Sequence, residues 1–144
     1  MDHYDGLKLE NQLCFPLYAA AREVIKHYRP YLDELDLTYT QYIAMMVLWQ
    51  DWEISVRDLG KRLFLDSGTL TPVLKNLEAK QYITRKRSAE DERLLIVRLT
   101  DKGERLKKEA AEVPQHVGAC IRLEPKEALQ LYQLLYKVLA GMEK

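Results

Sequence analysis

The chain has 144 residues, enough for one domain with its own hydrophobic core, and its composition, 47% apolar and 31% charged, is typical of a globular protein. It has no run of about 18 apolar residues, the length that a membrane helix needs, and its first residues lack the basic and apolar order of a signal peptide, so we expect a cytoplasmic protein. The net charge is zero, but residues 57–98 carry 10 basic and 6 acidic side chains, which favours either a local anionic partner or an ordinary solvated face.

The first predicted helix runs from about Leu9 to Tyr28, where apolar residues recur at helical spacing. Pro16 is tolerated only near a helix start, where its missing N–H costs little, so the helix begins close to Cys14. The pair Arg29-Pro30 that follows ends the helix, and residues 31–37 are predicted to form a short turn.

Capping signals open the next helices. Thr38 and Gln41 form a capping box before a helix whose inward residues include Met46. Ser55 opens a second, shorter helix. A third helix follows 65-LDSG-68 and buries its leucines on one side. Its opposite side presents short hydroxyls and one cation: Ser67, Thr69, Thr71 and Lys75.

The last third of the chain predicts a hairpin and two helical regions. Residues 81–87 and 94–100 are strand-like, and the polar stretch 88-SAEDER-93 between them indicates a projecting tip. A helix then begins at residue 101 and is interrupted near Pro114. The final helix runs from Pro125 to about Met142 and is apolar nearly all round. Because such a helix has to be covered on more than one side, we expect an intertwined homodimer.

The order of these elements predicts a winged helix-turn-helix, a mainly α fold with a small β-hairpin wing. A helix about 10–12 Å across fits the major groove of B-DNA, and short hydroxyls let its backbone approach phosphates and base edges. A hairpin beside it can place an arginine in the minor groove. Double-stranded DNA is therefore the expected partner, and a merely solvated helix face is the alternative.

The chain resembles the MarR family of winged-helix regulators from about Leu9 to Met142. The strongest similarities are 66-DSGTLTPVLKNLE-78, which resembles the family's recognition helix, and 85-RKRSAEDERLLIVRLTDKG-103, which resembles its wing. The resemblance implies that Asp91 holds Arg93 at the wing tip, where the arginine enters the minor groove. It also implies phosphate contacts by the basic residues of the first wing strand, namely Arg85, Lys86 and Arg87.

The same resemblance implies a single domain over residues 1–144. Residues 9–37 and 101–144 would supply the dimerisation helices, and residues 38–100 the DNA-binding lobe, so that a dimer binds an operator with an inverted repeat. A regulator of this kind is not an enzyme, and we expect no cofactor.

Within that family, 9-LENQLCFPLYAAARE-23 and 38-TYTQY-42 together resemble the OhrR branch, the thiol-based sensors of organic hydroperoxides. Pro16 departs from the pattern, since many relatives have an apolar residue there. The resemblance implies that Cys14 is the sensing thiol and that Tyr28 and Tyr39 hydrogen-bond it from the partner subunit. It further implies a repressor that oxidation releases from DNA.

The residues around Cys14 suit a reactive thiol. Peroxides are attacked by the thiolate, which the free N–H groups and partial positive charge of a helix start favour by roughly 0.3–1 kcal/mol. Tyr18 lies one turn on, on the same face. Tyr28 is nearly aligned too, but it lies roughly 21 Å further along a straight helix, so it reaches a cysteine only across an antiparallel dimer. The alternative is a small buried Cys14 and tyrosines that pack an interface.

Cys14 and Cys120 are the two cysteines, too few for a disulfide scaffold and too far apart for a CxxC motif. The resemblance implies that Cys120 resolves oxidised Cys14 as an intersubunit disulfide. A disulfide needs Cα atoms within roughly 7 Å, so the helices would have to shift and would re-space the two recognition helices. If Cys120 is instead a core residue, a low-molecular-weight thiol would cap Cys14.

Two other functions remain open. A thiol peroxidase would turn over peroxide with the same cysteines, but the sequence has no Thr-x-x-Cys pattern and a winged helix would serve no purpose in it. A MarR-type regulator gated by a small phenolic ligand would have inert cysteines. A metal sensor is disfavoured, because His3, His27 and His116 show no ligand-like spacing with the cysteines.

Overall fold

The computed structural model describes residues 2–143, which fold mainly into helices with one small antiparallel sheet. The strand order in the sheet is β1-β3-β2, and β2 and β3 form the predicted hairpin wing. The predicted fold class is thereby confirmed. In chain order the elements are α1 Cys14–Glu34, α2 Tyr39–Asp51, β1 Glu53–Ser55, α3 Val56–Leu63, α4 Ser67–Ala79, β2 Ile83–Arg87, β3 Leu95–Leu99, α5 Asp101–Ala110, α6 Val113–Gly118 and α7 Pro125–Met142, after two 3-10 helices at Asp5–Leu7 and Leu9–Asn11.

Helix α1 begins at Cys14, as the position of Pro16 predicts and later than Leu9, and it ends later than predicted. Residues 9–11 form a separate 3-10 helix, and α1 begins at Cys14 itself. It continues through Pro30 to Glu34, so the turn predicted over residues 31–37 is wrong for residues 31–34. Pro30 removes one N–H from the helix. The segment after it stays helical because it carries Leu32 into the core, where 2% of that residue remains exposed.

The predicted capping residues are confirmed. The Thr38 hydroxyl accepts a hydrogen bond from the Gln41 N–H at 3.2 Å, and the Gln41 side chain accepts one from the Thr38 N–H at 3.0 Å. Ser55 caps α3 by accepting from the Asp58 N–H at 3.1 Å. The inward position predicted for Met46 is wrong, since that side chain is 44% exposed and the preceding methionine takes the core position instead.

Strand β1 has no counterpart among the sequence predictions. It is three residues long and pairs antiparallel with β3, with Ile54 opposite Val97. A strand of three residues is too short for an alternating pattern of apolar and polar side chains to predict it. Its partner strand also lies far away in the sequence. The pairing fixes the base of the wing against the start of α3.

The core lies between α2, α3, α4 and the sheet, with Leu48 and Leu74 among its fully buried residues. The Trp49 indole donates a hydrogen bond to the Gly103 carbonyl at 2.8 Å. Gly103 stands at the start of α5, where a Cβ atom would lie 2.3 Å from the Tyr82 carbonyl oxygen. Helix α5 therefore sits directly on the backbone at the base of the wing.

Helix α7 and the first half of α1 carry much of the exposed apolar surface. None of the described residues of α7 is buried. No helix within residues 2–143 is long and apolar enough to cross a membrane. The exposed apolar residues of the two helices include Phe15, Leu17, Ile25, Leu129, Tyr132, Leu134 and Met142.

Candidate DNA interface and thiol site

Helix α4 presents the polar face that the sequence predicts. Asp66 caps the helix by accepting a hydrogen bond from the Thr69 N–H at 2.7 Å, and this bond lowers the pKa of the Asp66 carboxyl. The Thr71 hydroxyl donates to the Ser67 carbonyl at 2.7 Å. The leucines of α4 hold the opposite face in the core. The four predicted contact residues of this face, Ser67, Thr69, Thr71 and Lys75, are all exposed.

The wing tip brings Asp91 and Arg93 together. The Arg93 Nε donates to the carboxylate of Asp91 at 3.1 Å, and the Arg93 backbone N–H donates to the same oxygen at 3.0 Å. These bonds, with the charge of Arg57 nearby, lower the pKa of Asp91. The Arg93 side chain is nevertheless 91% exposed. A guanidinium that a carboxylate orients and that still faces solvent is suited to enter a groove of DNA.

The two surfaces meet in one concave space of about 1280 Å³ between α3, α4 and the wing. Ser67 and Thr71 line it from α4, and Asp91 and Arg93 line it from the wing. Arg57 lines it from α3 and was missed by the sequence reasoning, because a single basic residue in a short helix carries no distinctive pattern. The space therefore brings part of the predicted α4 face together with the wing tip, and apolar residues such as Phe64 and Leu95 also line it.

The basic residues of β2 differ from one another. Lys86 and Arg87 are exposed. The Arg85 guanidinium is only 18% exposed and donates to the Glu78 carboxylate at 3.0 Å, while the Arg85 backbone N–H donates to the other carboxylate oxygen at 3.2 Å. The side-chain hydrogen bond lowers the pKa of Glu78. Arg85 thus ties β2 to the end of α4, a role that competes with the phosphate contact predicted for it.

Cys14 is the first residue of α1 and is exposed. The residue before it is a leucine, which has no side-chain acceptor for the free N–H groups of the first turn. Tyr18 lies one turn on and is 58% exposed, and the Arg22 guanidinium lies over its ring, 5.4 Å from the centroid. The interpretation of Cys14 as a buried hydrophobe does not hold within this chain.

Tyr28 and Tyr39 pack against each other rather than against Cys14 of the same chain. Their ring centroids are 4.9 Å apart, and Tyr42 joins them at 5.8 Å from Tyr28 and 6.2 Å from Tyr39. Burial raises the pKa of all three phenols, and that of Tyr42 reaches about 12. Tyr42 was not singled out from the sequence, although it lies within the TYTQY segment.

Cys120 follows α6 and is exposed, so the alternative of a core cysteine does not hold within this chain. Its neighbour Val117 takes the buried position instead. The Cys120 thiol lies 3.8 Å from the His116 carbonyl oxygen. The His116 ring stacks on Tyr31 of α1, with centroids 4.8 Å apart and planes inclined by 8°. The stack fixes α6 against α1 close to the second thiol.

Among the described residues, no three His, Cys, Asp or Glu side chains are grouped in a way that could hold a metal ion.

Comparison with known proteins agrees with this geometry. Residues 26–110 match the family described as transcriptional regulator SarA/Rot. The chain is 46% identical over 141 residues to the organic hydroperoxide resistance transcriptional regulator of Bacillus subtilis, covering 98% of this chain and 96% of the relative. An Escherichia coli MarR variant complexed with operator DNA covers 96% of this chain and 99% of its own at 25% identity, with a TM-score of 0.76.

Three solved forms of AbfR, a protein of Staphylococcus epidermidis, are also similar. Reduced AbfR bound to DNA is 32% identical and covers 96% of both chains, with a TM-score of 0.78. Overoxidized AbfR bound to DNA is 32% identical and also has a TM-score of 0.78. The match covers 99% of this chain and 100% of the AbfR chain. Disulfide-formed AbfR is 34% identical and covers 94% of this chain and 95% of its own, with a lower TM-score of 0.66.

The winged helix and the polar surface it presents define the class of this protein as a DNA-binding transcriptional regulator rather than an enzyme. More particularly, the chain belongs to the MarR family of winged-helix regulators and to its OhrR-like branch.

Proposed function

We propose that this chain is a dimeric repressor that binds operator DNA while Cys14 is reduced and is released when an organic hydroperoxide oxidises Cys14. The observation that carries the proposal is the position of Cys14, exposed and first in α1, in a chain that also presents a winged-helix surface. Identity of 46% with a regulator of organic hydroperoxide resistance supports the class of oxidant. The repressor acts in the cytoplasm, where its operator lies.

In the DNA-bound state, α4 enters the major groove and Arg93 enters the minor groove. The exposed Lys86 and Arg87 contact phosphates. Two copies related by a twofold axis read the halves of an inverted repeat whose centres lie about 34 Å apart, one helical turn. The α4 residues that face the major groove are Ser67, Thr69, Thr71 and Lys75.

Dimerisation uses the apolar surfaces of α1 and α7, in residues 9–37 and 101–144, while residues 38–100 form the DNA-binding lobe. The exposed leucines of both helices support this division, because packing against a second copy of the chain would remove them from water. Tyr28 lies 14 residues beyond Cys14, about 21 Å along the helix, so the phenols of Tyr28 and Tyr39 bond the thiolate of the partner subunit. Tyr18 supports the thiolate of its own chain.

Oxidation then proceeds in two balanced steps. The Cys14 thiolate attacks the terminal peroxide oxygen, the O–O bond breaks, and the alkoxide takes a proton to leave as an alcohol, so Cys14 becomes a sulfenic acid. The thiol of Cys120 in the second subunit attacks that sulfur, a disulfide forms, and water leaves. The exposure of both cysteines supports this route.

The AbfR forms support the disulfide as the releasing species. The TM-score of this chain is higher with the two DNA-bound forms of AbfR, 0.78, than with the disulfide form, 0.66. This supports a DNA-binding conformation for the present structure. AbfR is described as bound to DNA even when overoxidized. For this chain we therefore assign release to the bridge between Cys14 and Cys120 rather than to added oxygen atoms alone.

The test compares the wild type with Cys14→Ser and Cys120→Ser after treatment with cumene hydroperoxide. Wild type should give a covalent dimer in non-reducing electrophoresis and lose the operator in a gel shift. Cys14→Ser should bind the operator and ignore the peroxide. Cys120→Ser should form no covalent dimer and stay on DNA unless a small thiol is added. A Cys14→Ser protein that peroxide still releases would refute the proposal.

A further inference from the structure

The Gln41 carboxamide lies at a junction of three segments and is almost completely buried, with 6% of the residue exposed. Its oxygen accepts a hydrogen bond from the Thr38 N–H at 3.0 Å and lies 3.4 Å from the Lys80 ammonium. Its nitrogen donates to the Asn76 side-chain oxygen at 3.0 Å. One side chain therefore caps α2 and at the same time holds α4.

The other partners of Lys80 extend this junction to α1. Lys80 caps the C-terminal end of α4, and its ammonium donates to the Asp36 carbonyl and pairs with the Asp36 carboxylate at 3.5 Å. Asp36 belongs to the short turn between α1 and α2 and has a positive φ of 54°. The end of the recognition helix is thus fastened to the turn that joins α1 to α2.

The same turn leads into Tyr39, the first residue of α2. Tyr39 directly follows the capping residue Thr38. The Tyr39 ring packs on Tyr28 of α1. A displacement of Tyr39 therefore moves the backbone that Gln41 caps. Apolar contacts between α2 and α4 can slide at small cost, whereas a hydrogen bond to a buried amide weakens steeply when its geometry is lost.

We infer that Gln41 is a positioning residue that couples Tyr39 to the recognition helix through its hydrogen bond to Asn76. The inference rests on the proposed function, in which Tyr39 bonds the sensing thiolate. Conversion of that thiolate to a disulfide removes the charged acceptor and so releases Tyr39. When Tyr39 moves, the cap at Thr38 moves with it, and Gln41 carries the displacement to the C-terminal end of α4. The junction is a physical connection between two sites rather than a contact with either DNA or peroxide.

The experiment removes the α4 half of the bond and leaves the cap of α2 intact. Because Asn76 is exposed, we expect the Asn76→Ala variant to fold. Asn76→Asp is the matched control, because a carboxylate oxygen still accepts from Gln41. The readout is the ratio of operator dissociation constants after and before treatment with cumene hydroperoxide. Any direct effect of residue 76 on DNA enters both states and cancels in this ratio. Non-reducing electrophoresis verifies equal oxidation of all three proteins.

We expect the ratio to fall about fivefold in Asn76→Ala, the factor that one hydrogen bond of about 1 kcal/mol supplies. Asn76→Asp should keep the wild-type ratio even if both dissociation constants rise. A wild-type ratio in Asn76→Ala, or an equal fall in both variants, would overturn the coupling while the redox repressor stands. A wild type that oxidation does not release would instead refute the proposed function, and the coupling with it.

Discussion

The ion pair of Arg85 leads to a prediction that separates two roles for a basic wing residue. Arg85→Met keeps the apolar stem and removes the guanidinium that donates to Glu78 at 3.0 Å. A hydrogen bond to a charged group contributes about 1.5–3 kcal/mol. Because the Glu78 side chain is 40% exposed, screening by water lowers this to about 1 kcal/mol. We expect the free energy of unfolding to fall by that amount and Tm to fall by about 3 °C.

Thermal unfolding and operator binding at several salt concentrations measure the two roles separately. Lys86→Met is the matched control, since Lys86 is exposed and should leave Tm unchanged while reducing the salt slope of binding by about 2, one phosphate contact for each subunit of the dimer. Arg85→Met should lower Tm and leave the slope unchanged. An Arg85→Met protein with wild-type Tm and a slope reduced by about 2 would identify Arg85 as a phosphate contact and refute the ion-pair role.

The pH dependence of the same variant has a definite sign. The Arg85 hydrogen bond lowers the pKa of Glu78 from its ordinary value of 4.5, so the ionised form is the one that stabilises the fold. That contribution is complete above pH 4.5 and is lost as the pH falls through the lowered value. The difference in Tm between wild type and Arg85→Met should therefore close in acid.

Three further outcomes are expected. Arg93→Ala should weaken operator binding about tenfold in fluorescence anisotropy with unchanged Tm, and full affinity would contradict the role of the wing tip. Raising the pH should remove the stability that neutral Tyr42 contributes below pH 10.0, and phenolate absorbance should show a last step near pH 12 that Tyr42→Phe abolishes. Leu134→Glu should give monomers in sedimentation where Leu134→Met stays dimeric, and a dimeric Leu134→Glu protein would exclude α7 from the interface.

The features that sequence predicts well here are local ones. The cap formed by Thr38 and Gln41 was predictable because both partners lie within one turn, and their side chains have one obvious use at a helix start. The Asp91–Arg93 pair was predicted from the family resemblance of the wing, and it too is local, since the two residues lie two positions apart in the tip. The recognition helix followed from its periodic leucines.

The features that escaped prediction depend on contacts between distant segments. Pro30 is a reliable helix breaker in isolation, but Leu32 binds into the core and keeps α1 helical beyond it. Glu78 lies only seven residues before Arg85, but one stands at the end of α4 and the other in β2, and their pairing depends on how the helix and the strand pack. The second use of Gln41, its bond to an asparagine 35 residues later, is equally invisible before the helices pack.

The missing side chain at Gly103 determines where this molecule can bend. Its α-carbon touches the Tyr82 carbonyl so closely that a methyl group would be 2.3 Å away, and the Trp49 indole holds its carbonyl from the other side. The first turn of α5 and the wing must therefore rotate as one rigid body. On the C-terminal side of the DNA-binding lobe, a pivot that changes the distance between the two recognition helices therefore lies further along, in residues 111–112 between α5 and α6 or in residues 119–124 before α7.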